Sequence, residues 1–122
     1  MALLASPLLG PAVWSAVAAV MSDLGWDVLV VPMPAQAPLG PDQVREHLLD
    51  VLPTGQPLAV VAHSNAGLYV PTVAVERAVV ASVFVDAALP PAAGSTPLAP
   101  PAMLETLEGL AGSDGLLPPW TQ

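Results

Sequence analysis

The chain has 122 residues, of which 54% are hydrophobic and 10% charged, which is enough for a single domain with a buried core. Ten acidic against two basic residues give a formal net charge of −8. This excess disfavours nucleic acid and anionic membrane surfaces as partners, because both are bound through Lys and Arg. The chain has no cysteine, and its two histidines, His47 and His63, have no carboxylate at metal-ligand spacing, so we expect neither a metal nor another cofactor.

The first 21 residues are almost wholly apolar and could be taken for a targeting segment. No Lys or Arg precedes the apolar residues, and Pro7 interrupts them early, which disfavours both a secretory signal and a membrane span. We therefore expect a cytoplasmic protein in which residues 2–5 form a buried strand, followed by a helix that begins at Pro11 and stops at Gly25. The helical spacing predicts that the core-facing residues of this helix are Val13, Val17, Val20 and Leu24.

Apolar runs and helical patterns alternate along the remainder of the first 86 residues. Unbroken runs of Val and Leu predict parallel strands, which gives four strands at residues 2–5, 27–32, 58–62 and 79–85. A loop is expected over residues 34–40, a second helix from Pro41, and a third helix over 65–77 with a kink at Pro71. The alternation predicts right-handed crossovers and a mostly parallel sheet with helices on both faces, which is a three-layer α/β sandwich.

The whole chain is expected to form one domain over residues 1–122, with the sheet core over 1–86. Residues 87–122 differ in composition, since they are rich in Pro and Gly, and they predict a cap or loop region that passes over the sheet edge. One helix is expected there, with an apolar stripe that docks on the domain or lines an acyl pocket. The residues of that stripe are Met103, Leu104, Leu107 and Leu110.

Ser64 is the most informative residue, because it ends the third predicted strand just before a helical segment. A serine between small residues on such a turn is typical of a nucleophile elbow, in which the hydroxyl is exposed for attack on an acyl carbonyl. The alternative interpretation is that Ser64 only caps the helix that follows, as serine commonly does. The strand before it and the helix after it favour the nucleophile.

The order of these segments resembles that of the α/β-hydrolase superfamily. Residues 62–66 read Ala-His-Ser-Asn-Ala where the family has Gly-x-Ser-x-Gly, and Gly67 follows. Residues 4–14 are similar to the loop between the family's first conserved strand and its helix. Residues 26–32 are similar to the family's next strand, and 82–87 to the strand after the elbow helix. The resemblance implies an incomplete α/β-hydrolase fold that hydrolyses an ester, thioester or amide of a small-molecule acyl substrate.

The resemblance also implies roles for three residues near Ser64. The N–H groups of Asn65 and Leu8 would form the oxyanion site, with Leu8 as the donor because Pro7 has no N–H. Asp86, at the end of the fourth strand, would be the triad acid that orients a histidine. The alternative for Asp86 is a turn residue at the strand end.

Neither histidine is placed to activate Ser64. Adjacent strand residues point to opposite faces, so His63 is poorly placed as the base, and the resemblance implies that it packs beside the elbow. His47 is expected to pack at the edge of the second helix. The family's histidine follows the last strand, which implies that this chain lacks its base and is impaired as an enzyme. Two alternatives stay open: a non-catalytic truncated homologue that self-associates through an exposed sheet edge, or a binding module whose Ser64 and Asn65 amides hold an anion.

Overall fold

A parallel β-sheet forms the centre of the protein. The structure, a computed structural model, describes residues 1–33, 39–115 and 117–118. Within them, four strands pair in the order β2-β1-β3-β4, and every neighbouring pair is parallel. The strands are β1 (Ala2–Leu4), β2 (Leu29–Val30), β3 (Leu58–His63) and β4 (Val79–Val85). The predicted parallel sheet is confirmed, although β1 and β2 are shorter than the apolar runs that contain them.

Two helical segments begin at the prolines that the sequence predicts as starts, Pro11 and Pro41. A 3-10 turn over Pro11–Trp14 leads into α1 (Ser15–Asp23), and Gly25 follows α1 with a φ of 83°. The second helix, α2, spans Pro41–Val51; most of the loop predicted before it lies outside the described residues. Another 3-10 turn, Ser64–Tyr69, leads into α3, and α4 lies in the Pro- and Gly-rich region. The bounds of these two helices are Val70–Glu76 and Pro101–Leu110.

Pro71 does not kink a continuous helix. It lies in the first turn of α3, at the point where the chain passes from the 3-10 turn to α-helix. The first N–H groups of an α-helix have no acceptor within the helix, so the missing N–H of a proline costs nothing there.

Helices cover both faces of the sheet and give the three layers of an α/β fold. On one face α2 and α3 pack on the strands, and the shared core is Ala2, Leu4, Val31, Val44, Leu48, Leu52, Leu58, Val60, Ala62, Ala66, Val70 and Val73. On the opposite face Trp14 packs on Leu3 and Ala5. Successive strand residues point to opposite faces, which is why Leu3 lies on one side of the sheet and its neighbours lie on the other.

The predicted core face of the first helix is confirmed at Val13, which packs beside Trp14, and is wrong at Val17, Val20 and Leu24, which are exposed. Val20 is 58% exposed and Leu24 69% exposed, whereas Trp14 is buried and Ala18 packs beside it. The Trp14 ring fills the space above β1, so the start of the helical segment makes the main contact with the sheet. The outward valines of α1 therefore stay exposed.

Edge strand β4 is also exposed, because every residue from Val80 to Val85 has an exposed side chain. No residue of α4 is fully buried: in its apolar stripe Met103 and Leu110 are exposed, and Leu104 and Leu107 are half-buried. Among the helices that the structure describes, none is long and apolar enough to cross a membrane.

Candidate functional site

The turn at Ser64 has the backbone of a strained strand-to-helix junction. His63 is still extended, with φ −109° and ψ 137°, and the 3-10 turn begins at the next residue. Ser64 itself has a φ of 55°. This left-handed conformation costs a residue other than glycine about 1–2 kcal/mol. Strain of this kind is typical of functional positions, where the surrounding structure must hold it in place.

Gly67 allows the turn to pack tightly against the segment after β4. A Cβ atom at Gly67 would lie 2.2 Å from the carbonyl oxygen of Ala88, which is closer than any real contact. The same segment is tied to the elbow from the other side, because the Ala88 N–H donates to the carbonyl oxygen of Ser64 over 3.0 Å. The elbow and the segment after β4 are therefore held together by a hydrogen bond and by close packing.

A buried polar pair joins the elbow to the loop after β1. Ser6 is fully buried and its hydroxyl donates to Oδ1 of Asn65, which is 5% exposed. Leu8 donates its N–H to the Ser6 Oγ over 3.1 Å. Leu9 and Gly10 donate theirs to the Ser6 carbonyl oxygen, each over 3.0 Å. Three N–H groups of this loop therefore donate to Ser6. The Leu8 N–H, which was expected to face an oxyanion, contacts the Ser6 hydroxyl instead.

Sequence reasoning missed the roles of Ser6 and of the Asn65 side chain. Both residues follow apolar runs that were predicted as strands, and β1 and β3 are neighbours in the sheet. The carboxyl ends of parallel neighbours lie together, so a polar residue after each run was an available signal. The strand order that brings Ser6 and Asn65 together has no such signal in the sequence.

Asp86 lies beside Ser64. The last register pair of β3 and β4 is His63 and Val85, and Ser64 and Asp86 are the residues that follow. Asp86 is exposed and, like Ser64, has a left-handed backbone, with a φ of 44°. Asp tolerates this conformation better than most residues. The structure therefore places the proposed nucleophile and the proposed acid at adjacent strand ends.

The histidines make other contacts. The His47 Nε2 lies 2.6 Å from the carbonyl oxygen of Pro32. The His63 ring packs edge-on against Trp14, with the ring centroids 5.9 Å apart and the planes at 77°. Between the described residues, no hydrogen bond joins either imidazole to Ser64.

The described residues also contain no group of three His, Cys, Asp or Glu side chains that could hold a metal ion. No protein-family model, curated protein or solved structure matches the chain. The chemistry of the site is therefore inferred from the residues at the carboxyl ends of β1, β3 and β4, which is where ligands bind in open parallel sheets.

Proposed function

We propose that Ser64 is the nucleophile of an acyl-transfer site of the α/β-hydrolase type. The substrate class is a small molecule with an ester, thioester or amide bond. The observation that carries the proposal is the left-handed φ of 55° at Ser64, between the end of β3 and the start of a helical segment. A serine that serves only as a helix cap adopts an ordinary extended backbone.

The chemistry would use the groups that the turn presents. The Ser64 Oγ would attack the acyl carbonyl carbon as its proton passes to a base, and the carbonyl oxygen would become an oxyanion. The N–H groups at the start of a helical segment have no acceptor within it, so those of Asn65 and Ala66 are suited to that oxyanion. Collapse of the adduct would expel the leaving group and leave an acyl-serine, which water would hydrolyse.

Among the residues that the structure describes, neither histidine is arranged as the base of this site. His47 bonds to the Pro32 carbonyl oxygen and His63 packs on Trp14, so neither is arranged to accept the Ser64 proton. General-base catalysis contributes about 10²–10⁴-fold to such reactions. Ser64 in this chain is therefore a weak nucleophile at a site shaped for acyl transfer.

The proposed location of the protein is the cytoplasm. The support is that residues 2–4 form a buried strand within the sheet.

The second candidate function is an anion-binding module in which the N–H groups of Asn65 and Ala66 hold a ligand without reacting. The contacts of His47 and His63 favour it, because binding needs no base.

Replacement of Ser64 by cysteine would test for an oxyanion site, because a thiol ionises near neutral pH and does not need a general base. The chain has no cysteine, so Ser64→Cys creates a protein with a single thiol. The matched control is Ser22→Cys, on the exposed face of α1. Each thiol would be acylated with p-nitrophenyl acetate and alkylated with iodoacetamide at the same pH. Both rates depend on the ionised fraction of the thiol and on its accessibility, so these factors cancel in the ratio of the acylation rate to the alkylation rate. Only acylation passes through an oxyanion, so the ratio reports stabilisation of that oxyanion.

We expect this ratio to be at least about tenfold larger at position 64 than at position 22, since one oxyanion donor contributes about 10²–10³-fold in evolved sites. Equal ratios at the two positions would contradict the acyl-transfer proposal. Equal ratios together with saturable protection of the elbow thiol by inorganic phosphate would favour the anion-binding module.

A further inference from the structure

The buried pair formed by Ser6 and Asn65 is not explained by stability. Ser6 Oγ accepts from the Leu8 N–H and donates to Asn65 Oδ1, so both of its roles are used. The Asn65 Nδ2 is buried and has no acceptor among the described residues. A half-satisfied polar pair weakens a core, whereas two apolar side chains of the same shape would pack there without loss.

The loop that holds Ser6 is internally complete. Pro7 has no N–H, and the N–H groups of the next three residues all donate to Ser6, through its hydroxyl or its carbonyl oxygen. The side chain of Ser6 joins this loop to the elbow, because its hydroxyl donates a hydrogen bond to Asn65 Oδ1. Asn65 is the residue whose backbone N–H stands next to the nucleophile.

We propose that Ser6 and Asn65 are positioning residues: their side-chain hydrogen bond fixes the Asn65 backbone N–H at the point where the oxyanion forms. The inference rests on the proposed acyl-transfer function of Ser64. It also reassigns Leu8, whose N–H orients the Ser6 hydroxyl in place of contacting substrate. The loop after β1 thus contributes to the oxyanion site through Asn65.

The test uses the Ser64→Cys protein and the ratio of acylation to alkylation rates. Ser6→Ala removes the hydroxyl, Asn65→Leu removes the amide at similar size, and the double variant makes an apolar pair. We expect each single change to lower the ratio about 3- to 10-fold, with the alkylation rate unchanged, because small displacements of a catalytic group are costly. The double variant should lower the ratio no further, and Ser6→Thr, which restores a hydroxyl, should recover part of it.

Stability separates positioning from a structural role. The double variant should unfold at a denaturant concentration equal to or above that of the Ser64→Cys parent, and still have the lowered ratio. Leu58→Val, a buried change at the amino end of β3 and far from the elbow, should lower the unfolding midpoint and leave the ratio unchanged. Because Asn65→Leu conserves volume, it tests the proposal even where Ser6→Ala does not fold.

Two results would overturn the proposal in distinguishable ways. A parent ratio that is high and stays unchanged in Ser6→Ala and Asn65→Leu would reject the positioning role and leave the function of Ser64 standing. A parent ratio equal to that of Ser22→Cys would reject both.

Discussion

Ser64 and Asp86 stand at equivalent positions beyond neighbouring strands, and both have left-handed backbones, with φ of 55° and 44°. Each follows the last paired residue of its strand, so the two turns leave the sheet side by side. The Ala88 N–H then donates to the Ser64 carbonyl oxygen and ties the two turns together. The two left-handed turns place polar groups at one end of the sheet. Their effect on stability can be tested without reference to any reaction.

Relief of the strain at Ser64 should stabilise the protein. Ser64→Gly removes a left-handed penalty of about 1–2 kcal/mol and adds an entropic cost of about 0.5–1 kcal/mol in the unfolded chain. We expect a net gain of about 0.5–1 kcal/mol in the free energy of unfolding, measured by urea denaturation. The control, Ser22→Gly in α1, should lose about 0.5–1 kcal/mol, and an equal loss at both positions would contradict the strained elbow.

The packing of Gly67 predicts an effect of opposite sign. A Cβ there would meet the backbone oxygen of Ala88 at 2.2 Å, so Gly67→Ala must displace the elbow or the segment after β4. We expect a loss of about 2–4 kcal/mol in the free energy of unfolding, in the range of severe overpacking.

Gly109 provides the matched control for this substitution. It lies in the last turn of α4, with open space around the position of its Cβ. Gly109→Ala should therefore gain up to about 0.5 kcal/mol, because the last turn has only part of the propensity difference of a helix interior. A neutral Gly67→Ala would show that the contact with Ala88 is not close in solution.

The uncovered edge strand predicts self-association. Residues 80–85 of β4 are exposed and carry no charge, and such an edge can pair with another copy of the chain. We expect the protein to form oligomers in light scattering and Val83→Lys to increase the monomer fraction.

Val75→Lys, on the exposed face of α3, controls for the added charge, since Val75 is 83% exposed and does not belong to the edge strand. It should leave the oligomer distribution close to that of the unmodified protein. A monodisperse monomer that unfolds cooperatively in calorimetry would contradict the prediction.

Tyr69 should titrate above its ordinary range. Burial raises the pKa of its hydroxyl above the usual value of about 10, and the negative charge of Asp42 raises this pKa further. The chain has one tyrosine, so absorbance at 295 nm follows this group alone. Asp42→Asn should lower the Tyr69 pKa, while Asp50→Asn, at the other end of α2, should leave it unchanged.

The same shift sets the direction of stability at alkaline pH. The unfolded chain loses the Tyr69 proton at lower pH than the folded chain, so the contribution to stability is complete below pH 10 and is lost as the pH rises through the folded pKa. Urea titrations should show the free energy of unfolding fall over that interval, and less steeply in Asp42→Asn. An identical fall in both proteins would assign the effect to other groups.

Ser64 of the unmodified chain should react slowly with a fluorophosphonate probe. The two imidazoles contact Pro32 and Trp14, and a serine without a base loses about 10²–10⁴-fold in rate. Labelling followed by intact mass should stay close to that of the Ser64→Ala control over minutes. Rapid stoichiometric labelling that the control abolishes would reveal a base, and His47→Ala would be the next variant.

The local pattern of the sequence was sufficient for the elements. Unbroken apolar runs predicted four strands, and Pro11 and Pro41 marked the starts of two helical segments, because both signals act through the backbone and nearest neighbours. The alternation of predicted strands and helices then indicated a parallel sheet, with Ser64 just beyond β3. The left-handed backbone of Ser64 supports its assignment as a nucleophile, and that assignment stays a prediction until the reactivity of the residue is measured.

Only the tertiary structure decided which polar groups meet. The strand order β2-β1-β3-β4 places Ser6 beside Asn65, although 58 residues separate them in the chain. The same packing turned Trp14 onto the sheet and left Val20 exposed, against the helical pattern. Contacts of this kind depend on the volume and hydrogen bonding of distant segments, and such long-range terms have no signature in local periodicity.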